Sequence, residues 1–352
     1  MIDENANNSK PVIALAMGDP AGISPELTAK LLASEIIRES SNLVVFGDRR
    51  ILAQGAEVAS VSLDPIVVDH EDAASGAGDA VFIDLGNLDP KDVAPAKATA
   101  IGGAFASENF RRALKFAASG KADAVCFTPF NKQAMRFVNA DYDDENRFVC
   151  GVLDWSGPAR EFNVLPNIWN ARVTSHIPLA NVATAITEEG ILRELRLTFE
   201  TMQRAGIAYP KIAVAALNPH AGDGGNFGRE EIEILEPAVR RAIAEGLPVD
   251  GPWPSDTVFL RAKKGLCNAV LTMYHDQGQI AMKMMGFDLG VTLMGGFPFP
   301  ISTPAHGTAY DIAGLGIADI GASVQAVLLA ARIASGSNGK GGESWHSGLS
   351  RR

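Results

Sequence analysis

Short apolar runs recur along this chain, and most run into a loop rich in Gly, Pro, Asn or His. Residues 12–17, 43–46, 66–68, 80–84, 124–127, 173–176, 212–217 and 267–273 each read as a buried strand. Between them lie stretches with helical composition, at 24–39, 98–118, 181–205, 230–245 and 313–335. Ser24 offers a cap for the first, with Pro25 at the first helical position and Glu26 in the first turn. Strands that alternate with helices need crossover connections, which dictates an α/β fold with mostly parallel sheets flanked by helices.

A chain of 352 residues exceeds one ordinary core, so one large or two moderate domains are expected. A net charge of −10, with no basic stripe, excludes a polyanion as the main partner and so argues against nucleic acid. It leaves room for a small anionic substrate. Cys126, Cys150 and Cys267 form no disulfide framework and lack metal-ligand spacing, which fits reduced thiols in the cytoplasm. Residues 1–10 carry no signal pattern, and no apolar run reaches the roughly 20 residues that cross a bilayer. The expectation is a cytoplasmic protein with no membrane partner. The last stretch, 335–352, is rich in Gly and Ser and is expected to be a disordered tail.

Chemistry concentrates where strands end. Leu271-Thr-Met-Tyr-His-Asp-Gln-Gly-Gln-Ile-Ala-Met-Lys283 starts apolar, then sets Tyr274, His275, Asp276 and Gln277 in a row. His176, His220 and His275 each close an apolar run. In an open α/β sheet the carboxyl ends of strands face one crevice, so residues remote in sequence meet there. Three imidazoles with an open fourth position hold a catalytic divalent cation, usually Zn²⁺, with Mg²⁺, Mn²⁺ or Co²⁺ as alternatives. The competing account is that each histidine only caps its strand with a hydrogen bond.

The motifs Gly18-Asp-Pro-Ala-Gly-Ile-Ser-Pro-Glu26, Thr174-Ser-His-Ile-Pro-Leu179, Leu217-Asn-Pro-His-Ala-Gly222, Tyr274-His-Asp-Gln-Gly278 and His306-Gly-Thr-Ala-Tyr-Asp-Ile-Ala-Gly314 follow one another in that order. In this the chain resembles the 4-hydroxythreonine-4-phosphate dehydrogenase (PdxA) family over most of its length. The resemblance implies a two-domain fold like that of isocitrate and isopropylmalate dehydrogenases, with a cleft between domains. It places a nucleotide-binding domain at 1–128 plus 304–352, and a metal, substrate and dimerisation domain at 129–303. It implies metal ligation by His176, His220 and His275, and a homodimer with the active site at the interface. Lys283 falls on the substrate-binding lysine, and Asp256 and Asp276 on acidic residues beside the metal. His306, Gly307, Thr308, Ala309 and Asp311 fall in the loop that holds the adenosine part of NAD or NADP. Gly18 and Asp19 shape the first strand–helix turn near the nicotinamide. No Gly-x-Gly-x-x-Gly fingerprint follows Met17.

The chain departs from that pattern at the substrate. The family's phosphate-binding His-Thr pair should lie near Asp144-Glu-Asn-Arg-Phe148, and neither residue is there. The acidic run Asp141, Asp143, Asp144 and Glu145 repels a phosphate, and Arg147 offsets it in part. The family's substrate-contacting asparagine and arginine become Thr292 and Ile301, while Asn131 and Lys132 remain. Loss of an arginine fork removes a bidentate anion contact.

The expected reaction is metal-dependent oxidation of a secondary alcohol in a hydroxy acid by NAD(P), with decarboxylation of the resulting keto acid. Lys283, Asp256 and Asp276 are the candidates for orientation and proton transfer. One candidate substrate is 4-phosphohydroxy-L-threonine or a related phosphorylated sugar acid. Another is a non-phosphorylated carboxylated dihydrodiol, as for terephthalate dihydrodiol dehydrogenase, with Phe148, Trp155 and Phe162 as an apolar wall or as plain core. Two other classes compete: a zinc hydrolase or lyase that uses no nucleotide, and a binding protein that has lost catalysis.

Overall fold

A computed structural model describes residues 10–74 and 80–338 of the chain. In chain order it forms β1 (Val12–Ala16), α1 (Ser24–Ala33), α2 (Glu35–Ser40), β2 (Asn42–Gly47), α3 (Arg49–Ala59), β3 (Ile66–Val68), β4 (Ala80–Asp84), α4 (Ala100–Ala118) and β5 (Ala124–Phe127). Next come α5 (Lys132–Val138), α6 (Glu145–Leu153), β6 (Arg160–Leu165), β7 (Ile168–Arg172), α7 (Val182–Ala185), α8 (Glu188–Arg204) and β8 (Ile212–Ala215). Then follow α9 (Glu236–Ala244), β9 (Val249–Trp253), α10 (Ser255–Lys263), β10 (Ala269–Thr272), α11 (His275–Gly286), β11 (Val291–Gly295), β12 (Ile301–Pro304) and α12 (Gly321–Asn338).

Two compact units divide these elements: Met1–Ala159 with Phe297–Arg352, and Arg160–Gly296. The division falls later than the expected 128/129 boundary and earlier than 303/304. Packing explains the first shift. Gly103 on α4 lies so close to the Ala134 carbonyl that a Cβ there would stand 2.0 Å from it, and α5 and α6 both pack on α4. They belong with the first unit.

In the first unit the strand order is β3-β4-β2-β1-β5-β12, and every pair in it is parallel. Ile13, Leu15, Val45, Phe82, Phe105 and Val327 fill its core. An aromatic group of Phe110, Phe127 and Phe130 lies beside α4, with Phe148 stacked on Phe110 at 5.5 Å. Phe148 is therefore a packing residue. The chain runs outward from β1 through β2 and then starts again on the other side with β5. That makes the β1/β5 edge the switch point, where strand-end loops splay apart and ligands bind.

The second unit has the order β11-β6-β7-β10-β8-β9. Its β7, β10, β8 and β9 run parallel, and β6 is antiparallel to both β7 and β11. Leu165, Ile168, Val258, Phe259, Val270 and Met282 form its core. Phe162 is buried against Trp169, so it too is core.

Several element expectations need correction. Residues 173–176 are loop, because the strand lies at β7, one step earlier. Its interior polar side chains had hidden it from a hydropathy pattern: Asn170 and Arg172 are both buried. The first helix breaks at Ser34 into α1 and α2, and Ser24 gives its hydroxyl to the Pro129 carbonyl at 2.8 Å instead of capping. The closing helix begins at Gly321 and runs through Asn338, so 335–338 are helical; the rest of the expected tail, like residues 1–9, lies outside the described residues. No described helix is long and apolar enough to cross a membrane. The three cysteines are free thiols.

Candidate active site

In the first unit, the loop after β1 is fastened to the loop after β5. The Gly18 N–H donates to the Thr128 hydroxyl at 2.9 Å and the Asp19 N–H to the Pro129 carbonyl at 2.9 Å. A Cβ on Gly18 would stand 2.2 Å from the Thr128 carbonyl, so only glycine permits this approach. Asp19 is 2% exposed. One carboxylate oxygen accepts the Ala21 N–H at 2.9 Å and the other the Tyr310 hydroxyl at 2.5 Å. Burial pushes the Asp19 carboxyl above its ordinary value, against the pull of these two donors. Burial also raises the Tyr310 phenol, and the neighbouring Asp19 adds to the rise.

Tyr310 belongs to the segment His306–Gly314, so the first and last motifs of the sequence meet here. The Ile23 N–H donates to the Thr308 carbonyl at 3.0 Å, and a Cβ on Gly22 would stand 2.5 Å from that oxygen. Ala309 has φ 43°, a left-handed conformation unusual for alanine. His306 Nε2 is buried without a partner, its Nδ1 lies 3.1 Å from the Gly307 carbonyl, and the space a Cβ on Gly307 would enter is open. Asp311 is exposed. An orphaned imidazole nitrogen beside open space, with a carboxylate able to accept ribose hydroxyls, fits a nucleoside.

Four residues expected at the substrate have other employment. Asn131 caps α5, its Oδ1 accepting the Ala134 N–H at 3.0 Å. Lys132 Nζ is 3.6 Å from Glu145. The Arg147 guanidinium pairs with Asp143, and the Arg147 backbone N–H donates to the Asp144 carboxylate, which caps α6. Thr292 lies in β11, opposite Asn163 in the antiparallel ladder.

The histidines lie in the second unit, and strand register explains their placing. β7 and β10 are parallel with Arg172 opposite Thr272, and the ladder continues as Thr174 N–H donates to the Met273 carbonyl at 3.1 Å. The Thr174 hydroxyl donates to the same oxygen at 2.8 Å. The loops that leave these two neighbouring strands bring His176 and His275 together, with ring centroids 5.5 Å apart. Two imidazoles that share a cation at about 2.1 Å per nitrogen bring their centroids to roughly 5 Å, so the pair fits a metal ion. His275 Nδ1 is 2.6 Å from Asp276 Oδ1. An ionised carboxylate only accepts, so Nδ1 carries the proton and Nε2 keeps the lone pair a cation needs.

His220 sits apart from this pair. β8 is parallel to β10 with Val214 opposite Leu271, which puts Asn218 level with His275 and His220 beyond it. Its ring is 6.2 Å from that of Phe227. Among the described residues no group of three His, Cys, Asp or Glu side chains is arranged to hold a metal ion. The backbone from His220 to Gly224 is left-handed throughout, with φ between 47° and 79°, and His176 also has φ 52°. Left-handed backbone in non-glycine residues costs about 1–2 kcal/mol each and gathers at functional sites. The loop is gripped from below by Glu231, 1% exposed, which accepts the Leu217 N–H at 2.9 Å, the Asn218 N–H at 2.7 Å and the Asn218 amide at 2.9 Å. Glu231 opens a π-helical turn, Glu231–Leu235. Asp256, exposed, is in the first turn of α10, and Lys283, exposed, lies two turns into α11 on the face of Asp276.

Tyr310, Glu231 and Gln277 support these loops and were not singled out for such roles from sequence. Motif membership could have flagged Gln277, in Tyr274–Gly278, and Tyr310, in His306–Gly314, but not the partner of Tyr310, 291 residues away.

The model of one protein family, described as pyridoxal phosphate biosynthetic protein PdxA, matches residues 39–330. The chain is 63% identical, over 94% of its length and 95% of the other's, to a protein of Rhizobium meliloti (strain 1021) assigned the name 4-hydroxythreonine-4-phosphate dehydrogenase 2. A crystal structure of 4-hydroxythreonine-4-phosphate dehydrogenase from Klebsiella pneumoniae superposes with a TM-score of 0.79 at 33% identity, covering 93% of this chain and 99% of that one. Terephthalate 1,2-cis-dihydrodiol dehydrogenase from Burkholderia xenovorans LB400 superposes with a TM-score of 0.62 at 27% identity, covering 90% and 98%.

Proposed function

Because the chain belongs to the PdxA family of dehydrogenases, we propose that it oxidises the secondary alcohol of a small phosphorylated hydroxy acid, of the 4-hydroxythreonine 4-phosphate type, with NAD(P) and one divalent cation. The observation that carries this reading is the His176–His275 pair at 5.5 Å, with Asp276 fixing the His275 tautomer. Bound there, a cation, Zn²⁺ before Mg²⁺, Mn²⁺ or Co²⁺, would lower the pKa of the substrate alcohol, and the nicotinamide would accept the hydride.

The chain's own residues do the rest. His176 and His275 would hold the cation, with His220 as the candidate third ligand. Asp276 holds His275 Nδ1, leaving Nε2 as the nitrogen offered to the cation. Lys283 orients the substrate carboxylate with its ammonium group, and Asp256 takes the alcohol proton. The keto acid so formed would lose CO₂, the electron pair of the broken C–C bond passing into an enolate that Lys283 would protonate. In the first unit, His306, Gly307, Thr308, Ala309 and Asp311 would hold the adenosine half of the nucleotide, and Gly18 and Asp19 would shape the turn near the nicotinamide. Leu179, Ile280 and Met284, at 70%, 66% and 85% exposure, leave an apolar surface beside the histidine loops that suits self-association.

One observation favours a second substrate, a carboxylated dihydrodiol. Arg147 and Lys132 are paired with Asp143 and Glu145, and Ile301 is fully buried in β12, so the segment where the family binds phosphate offers no unspent cation. NADH formation should be followed on phosphorylated hydroxy acids and on carboxylated dihydrodiols, with and without chelator. Turnover of the phosphorylated acids that chelator abolishes and metal restores is the expected result. Turnover of dihydrodiols alone would replace the substrate, and a chelator-resistant reaction would remove the cation from the mechanism. Absence of NAD(P) binding in a fluorescence titration would favour the nucleotide-free hydrolase or lyase.

A further inference from the structure

We propose that Gln277 is a positioning residue of the histidine site, fixing the spacing of the segments that carry His275, His220 and Asp256. The inference rests on the reading of that site as a cation site and concerns what keeps it in shape. Gln277 Oε1 accepts the Met273 N–H at 2.7 Å, and its Nε2 donates to the Ala216 carbonyl at 2.7 Å and to the Ser255 hydroxyl at 2.8 Å. The Ser255 hydroxyl in turn donates to the same Ala216 carbonyl at 2.6 Å. A backbone N–H can only donate and a backbone carbonyl can only accept, so these partners fix which end of the amide is which.

Each partner stands at the root of a loop. Met273 follows β10, two residues before His275. Ala216 follows β8 and leads into Asn218 and His220. Ser255 opens α10 next to Asp256. One primary amide, with an acceptor and two donors, closes all three gaps. Asparagine is a methylene too short to span them. Glutamate keeps the bond from Met273 but sets an oxygen against the Ala216 carbonyl. The helix that carries Gln277 is itself pressed onto the sheet, since a Cβ on Gly278 would stand 2.1 Å from Asn170 Oδ1. His275 therefore takes its position from its own helix and from the strand ends that Gln277 ties together.

The test uses the full chain and Co²⁺ as the probe. Wild type, Gln277→Glu, Gln277→Leu and Ser255→Ala are titrated with Co²⁺ by visible absorption and by competition with a chelator, with thermal unfolding of the metal-free forms alongside. Both Gln277 variants should lose about 10–100-fold in Co²⁺ affinity and shift the absorption bands, as removal of residues that orient metal ligands does. Ser255→Ala, which removes one tie, should fall between them and wild type. If Gln277→Leu does not fold, Gln277→Glu and Ser255→Ala decide. Variants that bind Co²⁺ as tightly as wild type with unchanged bands, even with lower melting temperatures, would show a merely structural role and overturn the proposal. A wild type that takes up no Co²⁺ would instead overturn the cation site, and the proposal with it.

Discussion

Asp19 is a carboxylate withdrawn from water and given two donors in return. Burial raises its pKa above the ordinary 3.8, so the folded state holds this proton more tightly than the unfolded chain. The linked stability is fully present below that ordinary value and is lost as pH rises through the folded one. Asp19→Asn should therefore gain stability relative to wild type as pH goes from acid to neutral, measured by urea unfolding at a series of pH values. A difference independent of pH would show that Asp19 is not the titrating group. Tyr310→Phe removes a hydrogen bond to a charged acceptor and should cost about 1.5–3 kcal/mol at neutral pH. At this scale the sequence was readable for residues inside motifs, such as Gly18 and Asp19. Tyr310 also stood inside a motif, but its bond to Asp19, 291 residues away, leaves no local pattern.

The left-handed run from His220 to Gly224 shows what elements add. Ala221 at φ 54° gains nothing from its side chain in that conformation. Ala221→Gly should remove about 1–2 kcal/mol of strain, less the cost of about 0.4–1 kcal/mol from a freer unfolded chain. The net expectation is a small rise in urea midpoint, together with weaker metal binding if the strain keeps His220 in place. A midpoint that falls would mean the loop is not strained at Ala221. The loop's glycines were visible in the sequence, but its handedness was not. β7 was misplaced for a related reason. Its polar members are held inside by hydrogen bonds: Asn170 donates to the Ala171 and Val270 carbonyls, and Arg172 to Asn163 and Glu161. A hydropathy pattern counts these residues as surface, and tertiary hydrogen bonds make them core.

For the molecule as a whole, the chain leaves the first unit after Ala159 and re-enters it at Phe297. A ligand bound only by the folded second unit must stabilise it by mass action. Zn²⁺ or Co²⁺ at 100 times its dissociation constant should add about 2.7 kcal/mol to unfolding. Chelator should reverse the gain, and His275→Ala should abolish it. Differential scanning fluorimetry reads all three, and an unfolding temperature indifferent to metal in wild type would refute a cation bound by the native state. Motif order had already indicated which loops matter. What decided the unit boundary was the close packing of Gly103 against Ala134, a contact no composition shift announces.

The sequence by itself determined the parallel α/β class and the placing of the histidines in segments that follow strands, because these follow from local periodicity. Only the tertiary structure decided that His176 and His275 lie side by side while His220 is turned toward Phe227. It alone also committed Asn131, Lys132 and Arg147 to a cap and two ion pairs. Strand register, backbone handedness and competition between nearby partners settle such matters, and none of them is a property of a residue's neighbours along the chain.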